Sequence, residues 1–443
     1  MTQDAQQAIA YYLKRLPISR QVKNQQEEFS CLNGLATTYA GLFQFQQAIE
    51  YYRQVVTLSK AIENLQWQET SIFHLGNSYL SLSQYTESIN QFQQLLQVAQ
   101  QTGNKLAENS ALWGLGSNHQ HLGNYPQSIE YFQKQLAMSC SLSDRSFQRS
   151  ALQGLGNVYM FLGKYQESLQ HAQQALDIAC EMGDANAQAG QLNCLSSAYY
   201  FLYQYDQSID YAQQSLTLAV ELSNKDIEMR SLKLLGDIHT KLSKHQQAKG
   251  FFDRTLTIAS EIGNKGVLGS TLRSLSDISL QLNQLDQSFD YGQKSLDIAR
   301  EVKDRYGEAC ALAQVASVYE KQGRYPKSLE HQKFALLIFQ EIGGQNGELL
   351  TFNNIGRIHY YQKQYPQALE YYQFALTLSK KLSDYNQETG SNHSVAATLY
   401  CLGRRQEAIL HYRQAYQSYE QQGNEVQAQD CLKWLRDLGV QDI

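Results

Sequence analysis

Residues 151–184, ALQGLGNVYMFLGKYQESLQHAQQALDIACEMGD, carry the pattern from which the rest of the chain can be read. Written in blocks of forty, the column through Leu155 reads Leu35, Leu75, Leu115, Leu155, Leu195, Leu235, Leu275, Val315, Ile355 and Val395. The next column, through Gly156, is Ala36, Gly76, Gly116, Gly156, Ser196, Gly236, Ser276, Ala316, Gly356 and Ala396. Every member of the first is a branched aliphatic and every member of the second is small. The register holds without insertion or deletion from residue 25 to 424. A period of this length signals stacked supersecondary units.

Each block predicts two helices. In the first copy, positions 32, 35, 36 and 39 are spaced i, i+3, i+4, i+7, which gathers them on one helical face. In the second helix, positions 48, 49, 52, 55, 56 and 59 form a wide apolar stripe, with Gln47, Glu50 and Gln54 opposite. Turns such as Leu122-Gly123-Asn124-Tyr125-Pro126 let Gly end one helix and Pro begin the next. Between blocks, Gly or Ser followed by Asn or Asp recurs, as in Gly103-Asn104, Ser143-Asp144 and Gly183-Asp184. The small columns at 36 and 48 let two helix backbones approach, with the ring at 45 or 52 filling the space beside them. Such a hairpin cannot bury its own stripe and must stack on neighbours. At the ends, Ala8–Tyr12 repeats Ala48–Tyr52, so residues 1–24 read as an unpaired second helix. Cys431–Leu435 falls where an eleventh first helix belongs, so 425–443 read as a capping helix. The expected fold is all-α: ten full repeats over 25–424, between a half-repeat and a cap.

These residues resemble the tetratricopeptide repeat family, with its Leu-Gly-x-x-Tyr first helix and Gly-x-Tyr-x-x-Ala turn into the second. The forty-residue length is similar to that of the Pins/LGN family and of many bacterial regulatory scaffolds. The resemblance implies a right-handed superhelical solenoid whose first helices line a concave, peptide-holding surface. Chaperone-binding members hold a C-terminal carboxylate with a Lys/Asn clamp. The matching pairs here are Asn33/Thr37, Phe73/Asn77 and Lys233/Asp237, so that clamp is absent. Pins/LGN members use Asn in the column of Asn77 and Asn157, which match.

Composition narrows the function. The 443 residues carry 42 acidic and 37 basic side chains, a net charge of −5, which disfavours the alternative of a helical-repeat RNA binder. Charged residues are 18% of the chain, below the roughly 25% that is usual, and 59 glutamines fill the gap. Only four prolines interrupt the chain, as a helical protein requires. No run of about 18 apolar residues spans a bilayer, and MTQDAQQAIAYYLKR lacks the basic-then-apolar order of a secretory signal. Seven cysteines with no CxxC pair predict reduced thiols and a cytoplasmic location.

No catalytic constellation emerges, and neither a metal nor a cofactor is expected. HExxH and GxSxG are missing. His119, His239 and His359 stand in the column of Tyr39 and Tyr79 and read as packing substitutes rather than ligands. Gly-Leu-Gly at 114–116 and 154–156 lies inside a first helix, where close packing explains it better than phosphate binding. Cys180 and Cys194 read as small core residues.

A binding face remains. Columns 33, 37, 40 and 41 lie together roughly 130° from the packing face, at about 100° per residue. Column 33 begins with Asn33, and blocks two to five then present Phe73, Trp113, Phe161, Tyr200 and Phe201 with Asn77, Asn157 and Asn193 among them. Aromatic rings offer contact area, and Asn can pair with the backbone of an extended peptide. A second zone presents Lys233, Lys241, Arg273, Lys321 and Arg357, with Asp237, Asp277 and Glu320 between them, followed by Asn353, Tyr360 and Tyr361. The ligand so predicted is a linear peptide or partner protein with apolar anchors and acidic residues. The alternatives are a regulatory subunit of a separate signalling enzyme or transcription factor, and self-association through an open end. His245, Leu285, Lys249 and Ser279 depart from their columns, which predicts a softer joint over 240–290.

Overall fold

The computed structural model describes residues 3–440, and among these it contains 22 α-helices and no strand. Helix α1 (Gln3–Gln21) stands alone before the first pair. The first helices of the ten pairs are α2 (Gln25–Gly41), α4 (Leu65–Ser81), α6 (Lys105–His121), α8 (Arg145–Phe161), α10 (Ala185–Phe201), α12 (Lys225–Lys241), α14 (Lys265–Gln281), α16 (Arg305–Lys321), α18 (Gln345–Tyr361) and α20 (Tyr385–Cys401). The second helices are α3 (Phe45–Ala61), α5 (Tyr85–Thr102), α7 (Tyr125–Ser141), α9 (Tyr165–Glu181), α11 (Tyr205–Glu221), α13 (His245–Glu261), α15 (Leu285–Glu301), α17 (Tyr325–Ile342), α19 (Tyr365–Leu382) and α21 (Arg405–Gln421), and α22 (Glu425–Asp437) closes the series. Two compact units result, Met1–Ser231 and Leu232–Ile443, each a stack of consecutive helix pairs.

The inter-block turns work as their residues dictate. Gly103 adopts φ 71° and Ser143 φ 53°, the left-handed conformation that ends a helix. The next residue caps the helix that follows: Ala107 N–H donates to Asn104 Oδ1 at 3.2 Å, and Phe147 N–H to Asp144 Oδ1 at 3.1 Å. Each such cap is worth about 1 kcal/mol. The second helices start differently, with no side-chain cap at Gln44, Gln84 or Asn124, and with Pro126 in the first turn of α7.

The two small columns do more than permit close approach. Ser88 Oγ donates to the Gly76 carbonyl at 2.8 Å, and Ser128 Oγ to the Gly116 carbonyl at 2.8 Å. Ser196 and Ser208 exchange such bonds in both directions, at 2.7 and 2.8 Å. The paired helices are therefore hydrogen-bonded to each other at their closest point. Where position 52 carries a ring, that ring is the spacer between pairs. The buried Phe92 lies against Gly76 and Gly114, where an added Cβ would fall 3.0 and 2.4 Å from it. Phe132 lies in the same way against Gly116 and Gly154, at 2.8 and 2.5 Å. Each glycine of Gly114-Leu115-Gly116 thus receives a different ring.

A second ladder joins position 39 to position 51. Tyr39 stacks on Tyr51 at 5.6 Å and Tyr199 on Tyr211 at 5.3 Å. His119 on Tyr131 and His359 on Tyr371 stack at 5.5 and 5.6 Å, and His239 lies tilted against Phe251 at 5.1 Å. These histidines substitute for packing rings. The cysteine expectation is corrected: Cys180 is exposed and Cys194 half-buried, while Cys31 and Cys431 are the core thiols. Position 180 falls outside the apolar stripe of α9, so exposure follows from its phase on the helix.

Candidate functional site

Within the first unit α4 touches α6, α6 touches α8 and α8 touches α10, and within the second α14 and α18 both touch α16. First helices therefore line the tighter side of each stack, and columns 33, 37, 40 and 41 lie half-buried or exposed along it, with the exception of Asn193.

In the first unit this face is a series of rings seated on the turn of the preceding repeat. Phe161 stacks on Tyr125 at 6.1 Å and 8°, and Phe201 on Tyr165 at 5.1 Å and 8°. Phe161 remains 63% exposed and Phe201 45%, so each ring has one side on its neighbour and the other open. Tyr200 meets Phe201 edge-on at 5.2 Å. Phe73 and Trp113 are sunk deeper, Phe73 edge-on to Phe92 at 6.3 Å and Trp113 beside the Phe132 cluster. Trp113, His121, Arg149 and Asn157 share a recess of about 390 Å³. Asn77 is half-buried on this face, and Asn33 Oδ1 is buried without a partner. Asn193 is a correction: it is buried, and its Nδ2 donates to Ser231 Oγ at 3.1 Å, so it serves packing rather than the face.

The second unit presents charge, much of it neutralised. Lys233 Nζ pairs with Asp237 at 2.8 Å. Arg357 forks onto Glu320 at 2.8 and 3.0 Å, and that carboxylate raises the guanidinium pKa against the opposing effect of burial. Burial raises the Asp277 pKa. Lys241 and Lys321 are exposed, and Arg273 is half-buried. Asn353 is held by Gln387 at 3.5 Å and Ser391 at 3.3 Å. Arg357, Tyr360, Tyr361 and His393 line a recess of about 240 Å³. The Tyr360 hydroxyl lies 3.5 Å from Cys401 Sγ, and burial pushes its pKa up.

The sequence reading missed the underside of the ring ladder: Tyr125, Tyr165 and the Tyr85–His121 stack at 5.3 Å. The signal was available, since column 41 and column 45 of the preceding repeat stand 36 residues apart throughout. Among the described residues no three His, Cys, Asp or Glu side chains gather as a metal ion would require, and no helix is long and apolar enough to cross a membrane.

Helix pairs repeated at forty residues, with small-on-small contacts and a ring spacer, define a class that comparison identifies. Tetratricopeptide repeat models match residues 29–64, 68–141, 107–181, 188–261, 228–301, 267–341, 307–381 and 347–421. The chain belongs to the tetratricopeptide repeat family. No curated protein matches it significantly. Among solved structures it is similar to a Rap protein complexed with competence and sporulation factor, at 14% identity and a TM-score of 0.57, over 81% of this chain and 99% of that one. It is similar to the apo quorum sensor NprR from B. thuringiensis, at 14% and 0.57, over 82% and 99%. Aspartyl phosphate phosphatase F from Bacillus subtilis aligns at 15% and 0.55, over 77% and 91%. At these identities the likeness is one of fold.

Proposed function

We propose that the chain is a non-enzymatic scaffold of the forty-residue regulatory type that holds an extended segment of a partner protein on the first-helix face of its first unit. The observation that carries this is Phe161, 63% exposed on top of Tyr125 and followed one repeat later by Phe201 on Tyr165. Rings held on one side and open on the other supply contact area at little entropic cost, and exposed aromatic rows are characteristic of binding faces. Asn77 and Asn157 stand among them to pair with a ligand backbone. In the second unit Lys241, Arg273 and Lys321 suit acidic groups of a partner. The named relatives, one a quorum sensor and one bound to competence and sporulation factor, make a binding role congenial without specifying it. Seven cysteines, none in a disulfide, suit a reducing compartment such as the cytoplasm.

Panning a display library of linear peptides tests the reading. The wild-type chain should retain peptides that a Trp113→Ala/Phe161→Ala/Tyr200→Ala variant retains at least about tenfold less, two or three anchors at about 1 kcal/mol or more each. Equal retention by a folded triple variant, or no retention by the wild type, would remove the proposed face.

A further inference from the structure

Two repeats of the first unit lack the spacer. Position 52 carries Phe92 and Phe132 in the second and third repeats, but Ala172 in the fourth and Ala212 in the fifth. An added Cβ at Gly116 would fall 2.8 Å from Phe132; at Gly156, its equivalent, the nearest atoms are the Ser168 carbonyl oxygen at 3.6 Å and Ala172 N at 3.7 Å. The vacated volume stays open as a recess of about 120 Å³, lined by Gly156, Ala172, Gln191 and Cys194, with Asn157 and Met160 on the first-helix face. Losing the ring does not by itself open such a space. At Gly292, the same position three repeats on, an added Cβ would meet Val315 Cγ2 at 3.1 Å and Ser276 Oγ at 3.3 Å, so the neighbours have closed in.

One residue of the recess lining carries an unanswered polar atom. Gln191 is 1% exposed and its Oε1 has no hydrogen-bond partner. Its column is Ala111 and Ala151 in the two preceding repeats, so a long amide side chain here reaches into space that the ring would have taken. A dry cavity of roughly 150 Å³ accepts benzene, which makes about 120 Å³ a fair seat for one aromatic ring. The protein's own Phe132 fills the corresponding place one repeat earlier. A phenol can do what a phenyl cannot, since its O–H is able to donate to an amide carbonyl such as that of Gln191.

We propose that this recess is a socket for a tyrosine side chain of an extended peptide, with Gln191 Oε1 accepting from the phenol and Asn157 meeting the ligand backbone. The proposal rests on the scaffold reading above and adds the residue that the peptide must carry.

The test uses the full chain with its methionine methyls labelled with carbon-13, so that Met160 reports on the recess, and p-cresol and toluene as side-chain probes. p-Cresol should shift the Met160 methyl saturably and bind about fivefold more tightly than toluene, the worth of one neutral hydrogen bond. Gln191→Leu should bring the two probes level. Ala172→Phe/Gln191→Ala/Cys194→Gly recreates the Gly116–Phe132–Gly154 arrangement, with Ala where Ala151 stands, and should abolish the shift while melting no earlier than the wild type. Gln191→Leu keeps the test decisive should the filled variant fail to fold. No Met160 response to p-cresol, a response that survives the filled variant, or equal affinity for toluene in the wild type would overturn the socket. Loss of library peptides by the triple face variant with no Met160 response overturns the socket and leaves the scaffold reading standing. A Met160 response with no library peptide retained overturns the scaffold reading and the tyrosine ligand with it.

Discussion

The first-helix faces of the two units use the same four columns and arrive at different balances of ring and charge. In Met1–Ser231 the columns hold rings, and each ring rests one side on the repeat before it: Phe161 on Tyr125, Phe201 on Tyr165. The other side stays open, because a ring has two faces and the neighbour covers only one. In Leu232–Ile443 the columns hold mostly cations, with Tyr361 over Tyr325 at 6.4 Å as a late return of the ring ladder, and a cation within reach of a carboxylate is claimed by it. Lys233 finds Asp237 one turn away on its own helix, and Arg357 finds Glu320 on the preceding first helix. Position on a face therefore does not settle availability. What a side chain has left after its neighbours are served settles it, and the aromatic face has more left.

The sharpest way to break this comparison is to ask whether face rings and core rings are different objects. Phe132→Ala empties the space between Gly116 and Gly154 and should cost about 3–5 kcal/mol. Phe161→Ala, at 63% exposure, should cost under about 1 kcal/mol. Denaturant unfolding followed by segment-resolved hydrogen exchange is the suitable measurement, since a repeat array need not melt as one unit. Comparable losses would mean that Phe161 is structural and that the face is no face at all.

The charged side of the comparison is sharpened by removing one partner of each pair. Arg357→Leu leaves the Glu320 side chain, 11% exposed, without its fork. A pair fully buried would lose about 3–5 kcal/mol, but the Arg357 side chain is 44% exposed, so solvent screening brings the expected loss to about 1–2 kcal/mol. Lys233→Met breaks a helical i, i+4 pair and should cost about 0.5 kcal/mol or less. Thermal unfolding of the two variants should rank them in that order, and the reverse ranking would show that the Arg357 fork is ornamental.

The joint expected over 240–290 offers a comparison with the closely packed 105–165 region. Ser279 stands where other repeats place a stacked ring, and Leu285 stands where others place the turn tyrosine. Missing rings thin the packing and lower local stability. Amides of 240–290 should exchange faster than those of 105–165, and equal protection would abolish the joint.

The fold was legible because a forty-residue period records helix phase ten times over, and no single ambiguous turn can shift it. The binding face was half legible. Helical phase alone puts Phe161 and Lys233 on one side, since it depends only on about 100° per residue. What phase cannot convey is how far a side chain sinks or whom it meets. Asn193 has the column of Trp113, but Ser231 on the next first helix captures it. Cys180 has a small side chain, yet its place on α9 faces solvent. The Ser88–Gly76 bond needed a rotamer that no column count contains. Ala172 could have been found from its column, because Phe92 and Phe132 precede it, but whether the vacancy closes, as at Gly292, depends on neighbours in three dimensions.

The smallest expected effect concerns the acid among the cations. Burial raises the Asp277 pKa above its usual value, with the Gln281 side chain and the charges of His245 and Lys241 opposing the shift. A carboxyl whose folded-state pKa is raised binds its proton more readily when folded than when unfolded. Its favourable contribution is complete below the unfolded value and is lost as pH rises through the folded one. Asp277→Asn removes the titration while preserving the shape. The variant should therefore match the wild type at low pH and become modestly the more stable of the two as pH climbs through and above the carboxylate range. Unfolding curves for both proteins between acidic and neutral pH measure the difference directly. If the variant instead loses stability at neutral pH, the charged form of Asp277 is the one the fold prefers. Its neighbours Lys241 and His245 would then form a working ion cluster, and the second unit's face would hold fewer cations for a partner than Lys241, Arg273 and Lys321 suggest.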